Sequence, residues 1–113
     1  MITRREEQKV EIREKMRGGS GLVKLTALSS RLHPHMRLFS ELSLQPGESI
    51  GYHTHEGETE FYYFLSGSGR VSDDGEFFAV GAGDSMCTPS GHGHSVENVG
   101  DGELRFVAVI ATD

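Results

Sequence analysis

The chain has a single cysteine, Cys87, in 113 residues, so no internal disulfide can form. No apolar run comes near the roughly 18 residues of a membrane span. Residues Met1 to Arg17 are charged throughout and lack the apolar core of a secretory signal. A reducing, cytoplasmic setting is therefore expected. Positive charge is scarce. Lys and Arg number 11 against 17 Asp and Glu, a net charge of −6 and a pI near 5.4. That balance argues against a nucleic-acid backbone or an anionic membrane as partner. Sequence repeats are absent, and after residue 20 no pattern supports a helix longer than three turns.

Two residue types are abundant instead. Six histidines fall as His33/His35, His53/His55 and His92/His94, each pair at spacing two. Fifteen glycines are spread along the chain rather than bunched, which reads as repeated backbone punctuation. Between them lie short apolar-rich segments at Leu22–Leu28, Arg37–Leu44, Ser49–His55, Glu60–Leu65, Gly69–Ser72, Glu76–Val80, Asp84–Thr88, His94–Asn98 and Glu103–Ile110. Turn signals such as Pro46-Gly47 and Asp74-Gly75 separate them. This spacing predicts an all-β antiparallel sandwich or barrel. Residues 3–17 fit either a short helix or an edge strand alternating at Val10 and Ile12.

The stretch His53-Thr54-His55-Glu56-Gly57-Glu58-Thr59-Glu60 carries the clearest chemistry. On a strand His53 and His55 share a face. If residues 56–59 close a hairpin, His55 lies opposite Glu60 and His53 opposite Tyr62, so Glu60 joins the two imidazoles, with Tyr62 and Phe64 extending the same face. Two imidazoles and a carboxylate suit a first-row transition metal without naming it. Further on, a strand runs through Pro89-Ser90-Gly91 into His94, Val96 and Asn98. His92 sits in the turn between two glycines, so His94 is the favoured inward histidine. Cys87 comes near it if this second hairpin pairs 87 with 94. His33 and His35, around Pro34, are candidates for the barrel mouth. Arg37, Arg70 and Arg105 are candidates to hold a ligand carboxylate.

These residues resemble the two motifs of the cupin superfamily. The first, G-x5-H-x-H-x3,4-E-x6-G, is met by Gly47, His53, His55, Glu60 and Gly67. The second, G-x5-P-x-G-x2-H-x3-N, is met by Gly83, Pro89, Gly91, His94 and Asn98. The resemblance implies a double-stranded β-helix, a jelly-roll barrel over residues 21–113, with an N-terminal arm at 1–20 available to a homodimer interface. It implies one divalent transition metal (manganese, iron, nickel or zinc) held by His53, His55, Glu60 and His94. Tyr62, Phe64, Cys87 and His35 are then possible pocket residues. The Arg17-Gly18-Gly19 element and the run from His53 to Gly69 look most like small bacterial cupins related to oxalate decarboxylase. Their likeness implies a small carboxylate, oxalate or a 2-keto acid, as ligand. Decarboxylation or dioxygen-dependent cleavage is the expected reaction, with non-catalytic ligand binding the alternative.

Overall fold

A computed structural model describes all 113 residues. Ten strands carry the fold: β1 (Val10–Glu14), β2 (Leu22–Ala27), β3 (Met36–Leu44), β4 (Ser49–Thr54), β5 (Glu58–Ser66), β6 (Ser68–Asp73), β7 (Glu76–Gly81), β8 (Ser85–Thr88), β9 (Gly93–Asn98) and β10 (Leu104–Thr112). The only helical turns are 3-10 turns at Arg5–Glu7 and Met16–Gly18. No helix is long and apolar enough to cross a membrane.

The strands form two antiparallel sheets, one ordered β1-β2-β3-β10-β5-β8 and the other β4-β9-β6-β7. Alternation explains which faces meet. Along β10, Leu104, Phe106, Ala108 and Ile110 are buried while the residues between them are partly exposed. Along β5, Glu60, Tyr62 and Phe64 point in, and Phe61 and Tyr63 point out. The inward residues close a core of Leu42, Leu44, Phe64, Val96 and Phe106, among others, between the sheets. This is the jelly-roll architecture expected of the motifs.

The structure differs from the sequence reading in how strands pair. Consecutive strands β4 and β5 do not form a hairpin. β4 pairs β9, and β5 pairs β10 and β8. Glu60 therefore faces Thr88 rather than His55, and His53 faces His94 rather than Tyr62. Likewise β8 and β9 lie in different sheets, so Cys87 pairs Phe61 and not His94. In a jelly roll successive strands alternate between sheets, and a short loop need not mean a hairpin. The true tight hairpin is β6–β7, where Asp74 (φ 50°) and Gly75 (φ 88°) both take the left-handed conformation of a type I′ turn. The N-terminal segment resolves as an edge strand. β1 pairs β2, and Val10 and Ile12 are each 55% exposed.

Gly67 shows what the sheet-to-sheet crossings demand. It joins β5 to β6 at φ 91°, and a Cβ there would stand 2.5 Å from the carbonyl oxygen of Glu103. Both the backbone conformation and the space exclude a side chain. Gly67→Ala should destabilise the fold by roughly 1–3 kcal/mol and lower Tm by about 5 °C or more, read by thermal denaturation.

Candidate metal centre

His53, His55, Glu60 and His94 come together inside the barrel, each offering one ligand atom, all within 4.8 Å of one another. They arrive from both sheets. His53, at the end of β4, and His94 on β9 face each other in one, while Glu60 stands on β5 in the other. His55 lies just past β4. Its backbone N–H donates to the His92 carbonyl, and its carbonyl accepts from Gly91 N–H at 2.7 Å. The turn of the second motif thus holds a histidine of the first.

A β-bulge aims His53. The register of β4 on β9 steps from Ile50↔Val96 to His53↔His94, three residues against two. Without the extra residue Ile50 and His53, an odd number apart, would face opposite ways. With it, both point inward. Gly93 makes room at the bulge, since a Cβ there would overlap the Tyr52 ring.

Each imidazole is oriented by its other nitrogen. His53 Nδ1 is 2.8 Å from the Gly51 carbonyl oxygen. His55 Nδ1 is 2.9 Å from Glu58 Oε1, and Glu58 is in turn gripped by Arg37 through two bonds of 2.6 and 2.7 Å. His94 Nδ1 meets the Thr88 hydroxyl at 2.8 Å. A carbonyl and an ionised carboxylate can only accept, so the Nδ1 atoms of His53 and His55 carry the proton. In the neutral His53 ring Nε2 is then a bare lone pair.

The Nε2 atoms of the three rings converge. His55 Nε2 lies 3.0 Å from His94 Nε2, and His94 Nε2 lies 3.1 Å from His53 Nε2. Glu60 Oε1 is 2.9 Å from the Nε2 atoms of both His55 and His94. With metal–ligand bonds of about 2.1 Å, adjacent ligands of an octahedron stand about 3.0 Å apart, whereas a tetrahedron would need about 3.4 Å. The donors are close enough to share one cation, and the set of three imidazoles and a carboxylate suits a first-row transition metal.

The electrostatics agree with that fit. Burial holds the His53 imidazole down to about 4, with the neighbouring His94, Arg17 and His55 reinforcing it against the Gly51 hydrogen bond, so the ring is neutral at pH 7. The Arg37 hydrogen bond draws Glu58 down to about 2. Burial, and then the nearby Glu60 carboxylate, push the Tyr62 phenol up. Its ring stacks on His94 at 5.0 Å.

Above the cluster lies a cavity of about 100 Å³, small beside the roughly 300–1,000 Å³ usual for ligand pockets. Leu38, Ile50, Tyr62 and Ile110 wall it, and Arg13, Arg17 and Arg37 stand around it. Of the expected pocket residues, Tyr62 is in place. Phe64 is core, packed on Phe106 at 5.3 Å. Cys87 is exposed on the outer face of β8, because the 87–94 pairing does not exist. His33 and His35 are exposed and do not line the cavity. Arg37 reaches it but is bound to Glu58, whereas Arg105 pairs with Glu41 and Arg70 covers the Phe77 ring at 4.2 Å. Arg17 was not foreseen as a cavity residue. The Arg17-Gly18-Gly19 element was the available signal.

His92 stands apart from the cluster. It is exposed and bound to Asp74, and that bond holds its ring above the usual value. His94→Ala should therefore lose most bound metal while His92→Ala keeps it, measured by elemental analysis after purification. Equal retention would contradict the geometry. Glu58→Gln, which leaves His55 less firmly oriented, should weaken metal affinity by about tenfold or more.

Known proteins resemble this chain in sequence and fold. The cupin domain family model matches residues 40–110. The oxalate-binding protein of Thermotoga maritima is 45% identical over 112 residues, covering 97% of this chain and 93% of that protein. A crystal structure from T. maritima, described as a predicted oxalate decarboxylase, superposes with a TM-score of 0.94 at 43% identity over the whole of both chains. The oxalate decarboxylase OxdC of Bacillus subtilis is 34% identical over 77 residues, 64% of this chain and only 20% of that enzyme.

Proposed function

The chain belongs to the cupin family, and from that premise we propose that it binds a small dicarboxylate of the oxalate class at one divalent metal held by His53, His55, Glu60 and His94. The observation that carries this reading is the convergence of three imidazoles and a carboxylate beneath a small cavity ringed by arginine. The likeness to an oxalate-binding protein over nearly the full length of both chains supports it. Manganese, iron, nickel and zinc all suit this donor set.

When bound, the metal supplies a Lewis-acidic centre for carboxylate oxygens. The protein supplies the rest. The Nδ1 partners fix the three rings, Tyr62 stacks against His94, and Leu38 and Ile110 exclude water from the inner wall. The size of the cavity suits two joined carboxyl groups better than a sugar ring.

A catalytic reading, decarboxylation or dioxygen-dependent cleavage, shares the same metal and ligand. It needs a group free to move a proton, and the cavity offers little. Glu60 belongs to the cluster, and Glu58 is bound to both Arg37 and His55. Binding without turnover is therefore the reading we favour. We also place residues 1–20 at a contact between two copies in the cytoplasm, since β1 is an open edge strand bearing exposed Val10 and Ile12. Light scattering should then give about twice the chain mass of 12.4 kDa.

Calorimetry on metal-loaded protein tests the central reading. Oxalate should bind, monosaccharides should not, and chelated protein should lose the oxalate signal. Sugar binding with no affinity for any carboxylate would overturn the proposal. Release of carbon dioxide from oxalate, with or without oxygen, would establish the catalytic reading instead.

A further inference from the structure

Three guanidinium groups stand around the cavity of a chain whose net charge is −6. Two are already neutralised. Arg13 pairs with Glu11 at 2.8 Å, and Arg37 pairs with Glu58 at 2.6 Å. Arg17 makes no ion pair or side-chain hydrogen bond within the protein. Its position is nonetheless built with care. Lys15 (φ 49°), Arg17 (φ 55°) and Gly18 (φ 80°) all adopt left-handed backbone, a costly conformation for two residues with side chains.

The segment is then pressed onto β4. A Cβ on Gly51 would stand 2.1 Å from the Arg17 carbonyl oxygen, and one on Gly19 would stand 2.2 Å from that of Ser49. Ser20 and Ser49 close the contact through backbone and hydroxyl bonds of 2.9 to 3.1 Å. Only glycine at 19 and 51 permits this approach. The consequence is that the backbone of Arg17, a cavity-lining residue whose guanidinium has no partner, is seated against Gly51, two residues before His53.

Resting on the oxalate-class reading, we propose that Arg17 is a specificity-determining residue that binds the ligand's outward carboxylate and so selects dianions over monoanions. Charge balance supplies the reason. Three neutral imidazoles and the Glu60 carboxylate leave a divalent cation with one unit of positive charge uncompensated. A monoanion neutralises that unit and needs no further partner. A dianion leaves one negative charge in a poorly solvated cavity, where an unpaired charge is costly. Arg17 is the lining cation with charge to spare, and a guanidinium matches a carboxylate by two parallel hydrogen bonds.

The test compares wild type, Arg17→Gln, Arg17→Lys and the outward-facing control Arg105→Gln, each metal-loaded and titrated calorimetrically with oxalate and with pyruvate. Arg17→Gln should keep its metal content and thermal midpoint, lose between roughly tenfold and a hundredfold in oxalate affinity, and change pyruvate affinity by less than about threefold. Arg17→Lys should fall between Arg17→Gln and wild type, and Arg105→Gln should match wild type. Unchanged oxalate affinity in Arg17→Gln, or equal losses for both acids, would overturn the role of Arg17 while leaving the oxalate-class reading intact. A wild-type protein that binds neither acid would overturn that reading itself, and this inference with it.

Discussion

Three imidazole rings in this barrel turn their Nε2 atoms toward one another and toward a carboxylate, and that arrangement is unfavourable on its own. Buried lone pairs about 3 Å apart gain nothing from each other unless a proton or a cation lies between them. Burial keeps the His53 ring neutral at pH 7, so no proton on that ring fills the gap. A metal cation resolves the conflict for all four groups at once. Much of the surrounding structure follows from maintaining it: the bulge that turns His53 inward, the turn at Gly91 and His92 that clasps His55, and the Thr88 hydroxyl beneath His94. Asn98 serves the same frame from further away. Its side chain satisfies the backbone at Leu44, Gly100 and Gly102, anchoring the far end of β9.

Much of this was legible in the sequence, because the spacing of side chains along a strand is a local property. The alternation that sends Glu60, Tyr62 and Phe64 to one face, and His94, Val96 and Asn98 to another, needs no knowledge of which strand lies alongside. The motif glycines were equally readable. Gly47, Gly67, Gly83 and Gly91 all take φ between 84° and 91°, where other residues are strained.

Pairing was not legible, because it is set by sheets assembled from distant segments. A hairpin between β4 and β5 would have brought His55 opposite Glu60, and the jelly roll brings them together across the barrel instead. The same ligand set emerges from either arrangement, so the residues could be read correctly through the wrong register. Cys87 offered no such redundancy. Its expected place depended on the 87–94 pair alone and failed with it. Arg17 escaped notice for a related reason. Its role depends on left-handed backbone and on the close seating of Gly19 and Gly51, neither of which a charged N-terminal stretch advertises.

The tautomer of His53 tests the cluster most directly. Long-range proton–nitrogen correlation spectra of chelated, isotopically labelled protein at neutral pH report which ring nitrogen carries the proton. His53 should be neutral, with the proton on Nδ1 and a bare Nε2. A proton on Nε2 of His53, or a doubly protonated His53 ring, would contradict the claim that the fold presents an unprotonated donor to a cation.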